Sequence, residues 1–170
     1  GAAAIIQEIE RIAKSDPNAP TVATIGKIAA LPNGTNVIPE SVEFTLDLRD
    51  IDLKRRDIAL QEVKTTIQTI CLERGLTYEI TEHLVQDPIH CAPHVIETME
   101  TVANDLGLHA PKMISGAGHD AMIMNELTDI GMLFVRCKDG ISHNPKEWAD
   151  IDDIALGTAI LLEATLHYMN

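Results

Sequence analysis

Val42-Glu43-Phe44-Thr45-Leu46-Asp47-Leu48-Arg49 alternates apolar and polar side chains without a break. A period of two marks a strand with one buried and one wet face. The pattern predicts a strand over 36–49, with Pro39 at a bulge or edge position near its start. Pro32-Asn33-Gly34 just before it is a turn signal, and the β-branched stretch at 21–30 reads as another strand. Downstream, Leu60, Val63, Ile67 and Ile70 share one face of a predicted helix over 53–74, which Gly75 ends. Residues 76–86 alternate again and read as a third strand. Upstream, Ile5, Ile9 and Ile12, with Ile6 and Ala13, make the apolar stripe of a helix over 3–15 that Ser15-Asp16-Pro17 closes.

The order α-β-β-α-β predicts an antiparallel sheet with two helices on one face. One more strand upstream would complete a β-α-β-β-α-β, ferredoxin-like unit. Gly1-Ala2-Ala3-Ala4 enters the first helix with no capping side chain, so the parent polypeptide is expected to extend further upstream.

The pattern changes at Asp87-Pro88, which divides the chain into domains 1–88 and 89–170. Val95, Met99, Val102 and Leu106 line one side of a helix predicted over 93–106, and a short helix is expected at 119–126. Residues 130–135, Ile-Gly-Met-Leu-Phe-Val, are continuously apolar and read as a strand buried on both faces of a parallel sheet. A last helix is expected over 151–169, with Asp150, Asp152 and Asp153 at its positive end.

The 170 residues carry a net charge of −13, which repels the phosphates of nucleic acid. No apolar run approaches the roughly 20 residues a membrane-spanning helix needs. Hydrophobic content is 45% but aromatics only 3%, so the core is aliphatic. Cys71, Cys91 and Cys137 form no CxxC pair and read as small apolar side chains in a reduced, cytoplasmic setting.

Two polar loops carry candidate chemistry. In Gly140-Ile141-Ser142-His143-Asn144-Pro145, His143 follows the predicted buried strand and can offer imidazole nitrogen to zinc, manganese or cobalt, or be an ordinary surface histidine. In Ser115-Gly116-Ala117-Gly118-His119-Asp120-Ala121, the glycines let backbone N–H groups approach a ligand, or simply form a tight turn capped by Asp120 or Ser115. A Ser115/His119/Asp120 nucleophilic triad is disfavoured, because adjacent side chains diverge and no oxyanion loop is evident. Arg49 suits a carboxylate, with Asn36 as an amide donor, or else pairs with Asp47 or Asp50. His83, His90, His94, His109 and His167 have no partner pattern and read as structural or solvated.

Asn36-Val37-Ile38-Pro39, Leu46-Asp47-Leu48-Arg49-Asp50 and the two loops, in that order, resemble the amidase/hydantoinase/carbamoylase branch of the M20 metallopeptidase superfamily. That branch holds N-carbamoyl-L-amino-acid hydrolases, allantoate amidohydrolases and β-ureidopropionases, and the resemblance runs over essentially the whole chain. It implies that 1–88 is most of an inserted lid, or dimerisation, domain. Residues 89–170 would be the returning part of a mixed-sheet, three-layer α/β metallohydrolase domain. It also implies that His143 is the last metal ligand, that Asn36 and Arg49 clamp the substrate carboxylate with help from the Gly118 N–H, and that His119 and Asp120 line the same pocket.

The chemistry implied is hydrolysis of a carbamoyl amide by two divalent metals (zinc, manganese, cobalt or nickel), with a glutamate base. The implied partners are a small N-carbamoyl or ureido acid and a second copy, in a homodimer through the lid. The chain holds neither the family's His-x-Asp nor its Glu-Glu pair. One ligand cannot hold two metals, so the isolated chain is expected to be inert and the complete enzyme active. The alternatives are a non-catalytic dimerisation module, or a metal-free carboxylate binder using Asn36, Arg49 and Gly118.

Overall fold

A computed structural model describes residues 1–169, which form two compact units, the first Gly1–Pro88 and the second beginning at Ile89. In the first, helix α1 (Ala2–Ala13) buries Ile5, Ile9 and Ile12. Their spacing of four and three brings them onto one face. They meet Ala59, Val63 and Cys71 of helix α2 (Leu53–Arg74) in a single apolar cluster. Arg11 on the wet side of α1 reaches Glu62 of α2 at 3.0 Å.

Beneath the helices lies an antiparallel hairpin of β1 (Val22–Leu31) and β2 (Ser41–Arg49), paired from Val22↔Arg49 to Leu31↔Ser41. Ala23, Ile25, Phe44, Leu46 and Leu48 pack against the helical cluster. The register shifts between Ile25 and Ile28, so β1 carries an extra residue there. This bulge keeps Ile28 opposite Phe44 and releases Lys27 from the alternation. The Lys27 N–H donates to Thr45 Oγ1 at 3.1 Å. The bulge expected near Pro39 is thus on the other strand. Pro39 itself falls in the connecting loop, because β2 begins only at Ser41.

Helix α2 is capped at both ends. Asp52 accepts from the Arg55 N–H at 2.8 Å, and Gly75 takes the left-handed conformation with φ 63°. Just before it, the Asp50 carboxylate accepts from Thr21 Oγ1 at 2.5 Å, Arg55 Nε at 2.7 Å and the Asp52 N–H at 2.8 Å. This one buried carboxylate ties the entry of β1 to the end of β2 and the first turn of α2.

The third strand expected at 76–86 does not form, and the sheet has only β1 and β2. Those residues run instead beside α2, where Lys64 Nζ meets Glu82 at 2.5 Å and Arg56 donates to the Gln86 carbonyl. An alternating segment becomes a strand only when a neighbour completes its ladder, and no described residues do so. The ferredoxin-like sheet is therefore incomplete here.

In the second unit, helices α3 (Pro93–Asp105) and α5 (Ile151–Met169) pack through Met99, Ala103, Ile160 and Ala164. The short helix α4 (Asp120–Met124) and a 3₁₀ turn (Lys138–Gly140) lie between them in sequence. Residues 130–135 were expected as a strand covered on both faces. They form no ladder, and Phe134 and Val135 stay 49% and 41% exposed. Their contacts are with helices: a Cβ at Gly131 would stand 2.3 Å from Val95 Cγ1, and one at Gly157 would stand 2.8 Å from Val135 Cγ2. Apolar content drives this segment onto α3 and α5, but without strand neighbours it cannot become the centre of a sheet. No described helix is long and apolar enough to cross a membrane.

Candidate substrate and metal site

Arg49 closes β2 on its solvent-facing side. Its Nε donates to Asp47 Oδ1 at 2.8 Å and its Nη2 to Asp47 Oδ2 at 2.6 Å. Residues two apart on a strand share a face, so the backbone delivers this side-on pair. The Arg49 hydrogen bond holds the Asp47 carboxyl below its ordinary range, and Asp47 in turn raises the guanidinium. Of the two open partners, Asp47 holds Arg49, while Asp50 is taken by Arg55.

Asn36 sits in the loop that joins the strands, beyond the Leu31↔Ser41 end of the ladder, whereas Arg49 pairs with Val22 at the other end. About 26 Å of extended backbone separates the two ends. The structure therefore does not bring Asn36 and Arg49 together within one chain.

In the second unit, His119 is the N-cap residue of α4, with extended backbone (φ −139°, ψ 149°) and no side-chain cap bond. Neither Asp120 nor Ser115 caps that helix: Asp120 is in its first turn, and the Ser115 hydroxyl is engaged elsewhere. Ser115 Oγ lies 2.8 Å from His119 Nε2 and accepts from the Ala117 N–H at 3.3 Å. Gly118 is exposed, and a Cβ there would meet nothing within 4 Å.

His143 has a left-handed backbone, φ 56°, and a solvent-exposed side chain. Its N–H donates to Glu147 Oε2 at 2.8 Å, and Asn144 Oδ1 accepts from the Lys146 N–H at 3.0 Å. These bonds hold the backbone turn and leave the imidazole facing water. The role of Glu147 was missed in the sequence, although an acid four residues on in a Pro-containing loop is a readable turn-fixing signal.

Among the described residues no group of three or more His, Cys, Asp or Glu converges to hold a metal ion. A structural zinc takes four ligands and a catalytic one at least three from protein. His143 alone does not meet that requirement, so the residues present do not make a metal centre by themselves.

The fold is mixed α/β, with a two-stranded antiparallel sheet under two helices in the first unit. The chain belongs to Peptidase family M20/M25/M40, which it matches over residues 1–167. It is 49% identical over 169 residues to an N-carbamoyl-L-amino-acid amidohydrolase of Pseudomonas sp. (strain NS671), covering 99% of this chain and 41% of that protein. It is 40% identical over 149 residues to an allantoate deiminase of Arabidopsis thaliana, covering 82% of this chain and 28% of that one. A solved amidase of the hydantoinase/carbamoylase family from Burkholderia multivorans matches with a TM-score of 0.89 at 30% identity, over 98% of this chain and 40% of that one. The chain thus spans well under half the length of these relatives.

Proposed function

We propose that this chain is the carboxylate-gripping part of a metal-dependent hydrolase that cleaves the carbamoyl amide of N-carbamoyl-L-amino acids or of a related ureido acid such as allantoate. The observation that carries the reading is Arg49. It already holds a carboxylate side-on, through Nε and Nη2 to Asp47, and an N-carbamoyl amino acid presents the same group. The 49% identity to an N-carbamoyl-L-amino-acid amidohydrolase runs through both units and supports the same substrate class.

In this reading residues 1–88 form the lid and dimerisation domain, with a ferredoxin-like sheet completed by a further strand. Residues 89–170 are the C-terminal portion of the catalytic domain. Arg49 and Asn36 bind the substrate carboxylate, the Gly118 N–H assists, and His119 lines the pocket. Asn36 and Arg49 stand at opposite ends of one hairpin. Both reach one carboxylate only if they come from different copies, which is the use of a homodimer. His143 supplies one metal ligand, and the remaining ligands and the general base lie outside these residues. Family members generally use divalent metal ions, which would polarise the ureido carbonyl and activate water.

The full-length enzyme should hydrolyse N-carbamoyl-L-amino acids, and Arg49→Ala should raise KM by about 100-fold, as loss of a charge-assisted pair implies. The isolated chain with manganese or cobalt should show no turnover. Turnover above background by the isolated chain would refute its inertness, and an unchanged KM in Arg49→Ala would remove the clamp.

A further inference from the structure

The loop that carries His119 joins its imidazole to a serine hydroxyl. Ser115 is half-buried, while residues 116–120 are exposed. Its Oγ meets two nitrogens: the Ala117 backbone N at 3.3 Å and His119 Nε2 at 2.8 Å. The amide nitrogen can only donate, so the serine oxygen accepts from it. A hydroxyl has a single proton of its own. With the oxygen already accepting from the backbone, sending that proton to Nε2 uses it within the loop, whereas the opposite tautomer would make the oxygen accept twice and give its proton to solvent. A ring nitrogen that accepts is unprotonated, so the neutral ring carries its hydrogen on Nδ1.

We infer that Ser115 is a positioning residue that locks His119 as the neutral Nδ1–H tautomer, leaving Nδ1–H as the ring's donor toward an acceptor oxygen of the bound ureido acid. The tautomer half rests on the loop alone, while the ligand half rests on the substrate reading above. Ser115 is not a nucleophile in this scheme. Its hydroxyl hydrogen bonds to Nε2, but Asp120, the neighbouring acid, sits in the first turn of α4 and follows His119 directly in the chain. Successive side chains diverge, so Asp120 cannot orient the ring as a third member would.

Long-range ¹H–¹⁵N correlation of the ¹⁵N-labelled chain at about pH 8, above the ordinary histidine range, reads the tautomer directly. His119 should show the Nδ1–H pattern. Ser115→Ala should shift it toward the mixture of an unconstrained imidazole, and Ser115→Thr, which keeps the hydroxyl, should restore it. The backbone spectrum of the same samples shows that the fold is kept. An Nε2–H pattern in the parent chain, or no change in Ser115→Ala, overturns the lock, and covalent labelling of Ser115 by a fluorophosphonate overturns its non-nucleophilic role. In the full-length enzyme, Ser115→Ala should raise KM about tenfold with kcat within about twofold, the weight of one hydrogen bond. An unmoved KM beside a shifted tautomer overturns the ligand half alone. Loss of all activity toward ureido acids in the parent enzyme overturns the substrate reading and leaves the tautomer test standing.

Discussion

Arg49 and Asp47, two residues apart on the exposed face of β2, share a side-on ion pair of 2.8 and 2.6 Å. The strand repeat puts both side chains on one face and so brings the pair together. Both side chains are about half exposed, at 51% and 50%. Such a pair contributes under about 1 kcal/mol to stability, so a carboxylate ligand can displace Asp47 at little cost. Asp47→Asn should leave thermal stability nearly unchanged. It should lower KM for a carboxylate substrate in the full-length enzyme by less than about tenfold, because the Asp47 carboxylate no longer competes for the Nε and Nη2 donors.

Asp50 is the opposite case. Its side chain is fully buried at the junction of β1, β2 and α2, and Arg55 binds it through two nitrogens. Asp50→Ala should destabilise the first unit by about 2–3 kcal/mol, measured by urea unfolding. The Arg55 hydrogen bonds, outweighing a burial effect of opposite sign, hold the Asp50 carboxyl well below the usual carboxylate range, with Thr21 and the Asp52 N–H adding to them. A carboxyl with a depressed folded pKa stabilises above its unfolded value of about 3.9. That contribution is lost as the pH falls through and below that value. Stability of the parent chain should therefore fall as the medium is acidified below about pH 4, and in Asp50→Asn that slope should flatten.

Two glycines separate folding from binding. At Gly131 a Cβ would stand 2.3 Å from Val95 Cγ1 and 2.7 Å from Met99 Cε. Gly131→Ala should cost about 1–3 kcal/mol through overpacking, seen as a lower Tm. At Gly118 there is open space. Gly118→Ala should leave stability within about 0.5 kcal/mol, while its methyl crowds the proposed pocket and raises KM in the full-length enzyme.

The isolated chain should bind zinc or manganese only weakly, with Kd above about 10 µM by calorimetry, because its described residues present no three-ligand cluster. His143→Ala should leave its thermal stability unchanged, since the Glu147 bond is to the backbone N–H and survives the substitution.

The helices were legible as elements, their buried faces only in part. Of the face expected for α2 only Val63 is buried, with Ile67 and Ile70 packed against a cluster that Ala59 and Cys71 complete. Of the face expected for α3, Met99 is buried while Leu106 is 46% exposed. Ile5, Ile9 and Ile12 face Val63 and Cys71 as the periodicity predicts, and Gly75 stops α2 in the left-handed conformation that glycine favours. The candidate site was less legible. Ser115 could be quoted as a neighbour of His119, but which ring nitrogen it meets depends on the path of the loop.

What the sequence determined by itself was local: the helices and the buried face of α1, the alternation of β2, the Asp47–Arg49 spacing, and the motifs that mark the family. A repeat of 3.6 or 2 residues is written into neighbouring side chains and needs no distant partner. Only the tertiary structure decided that residues 76–86 and 130–135 find no ladder, that β1 bulges between Ile25 and Ile28, and that Asn36 and Arg49 lie at opposite ends of one hairpin. Each of these depends on a second segment being present at hydrogen-bonding distance, and one-dimensional patterning carries no such information.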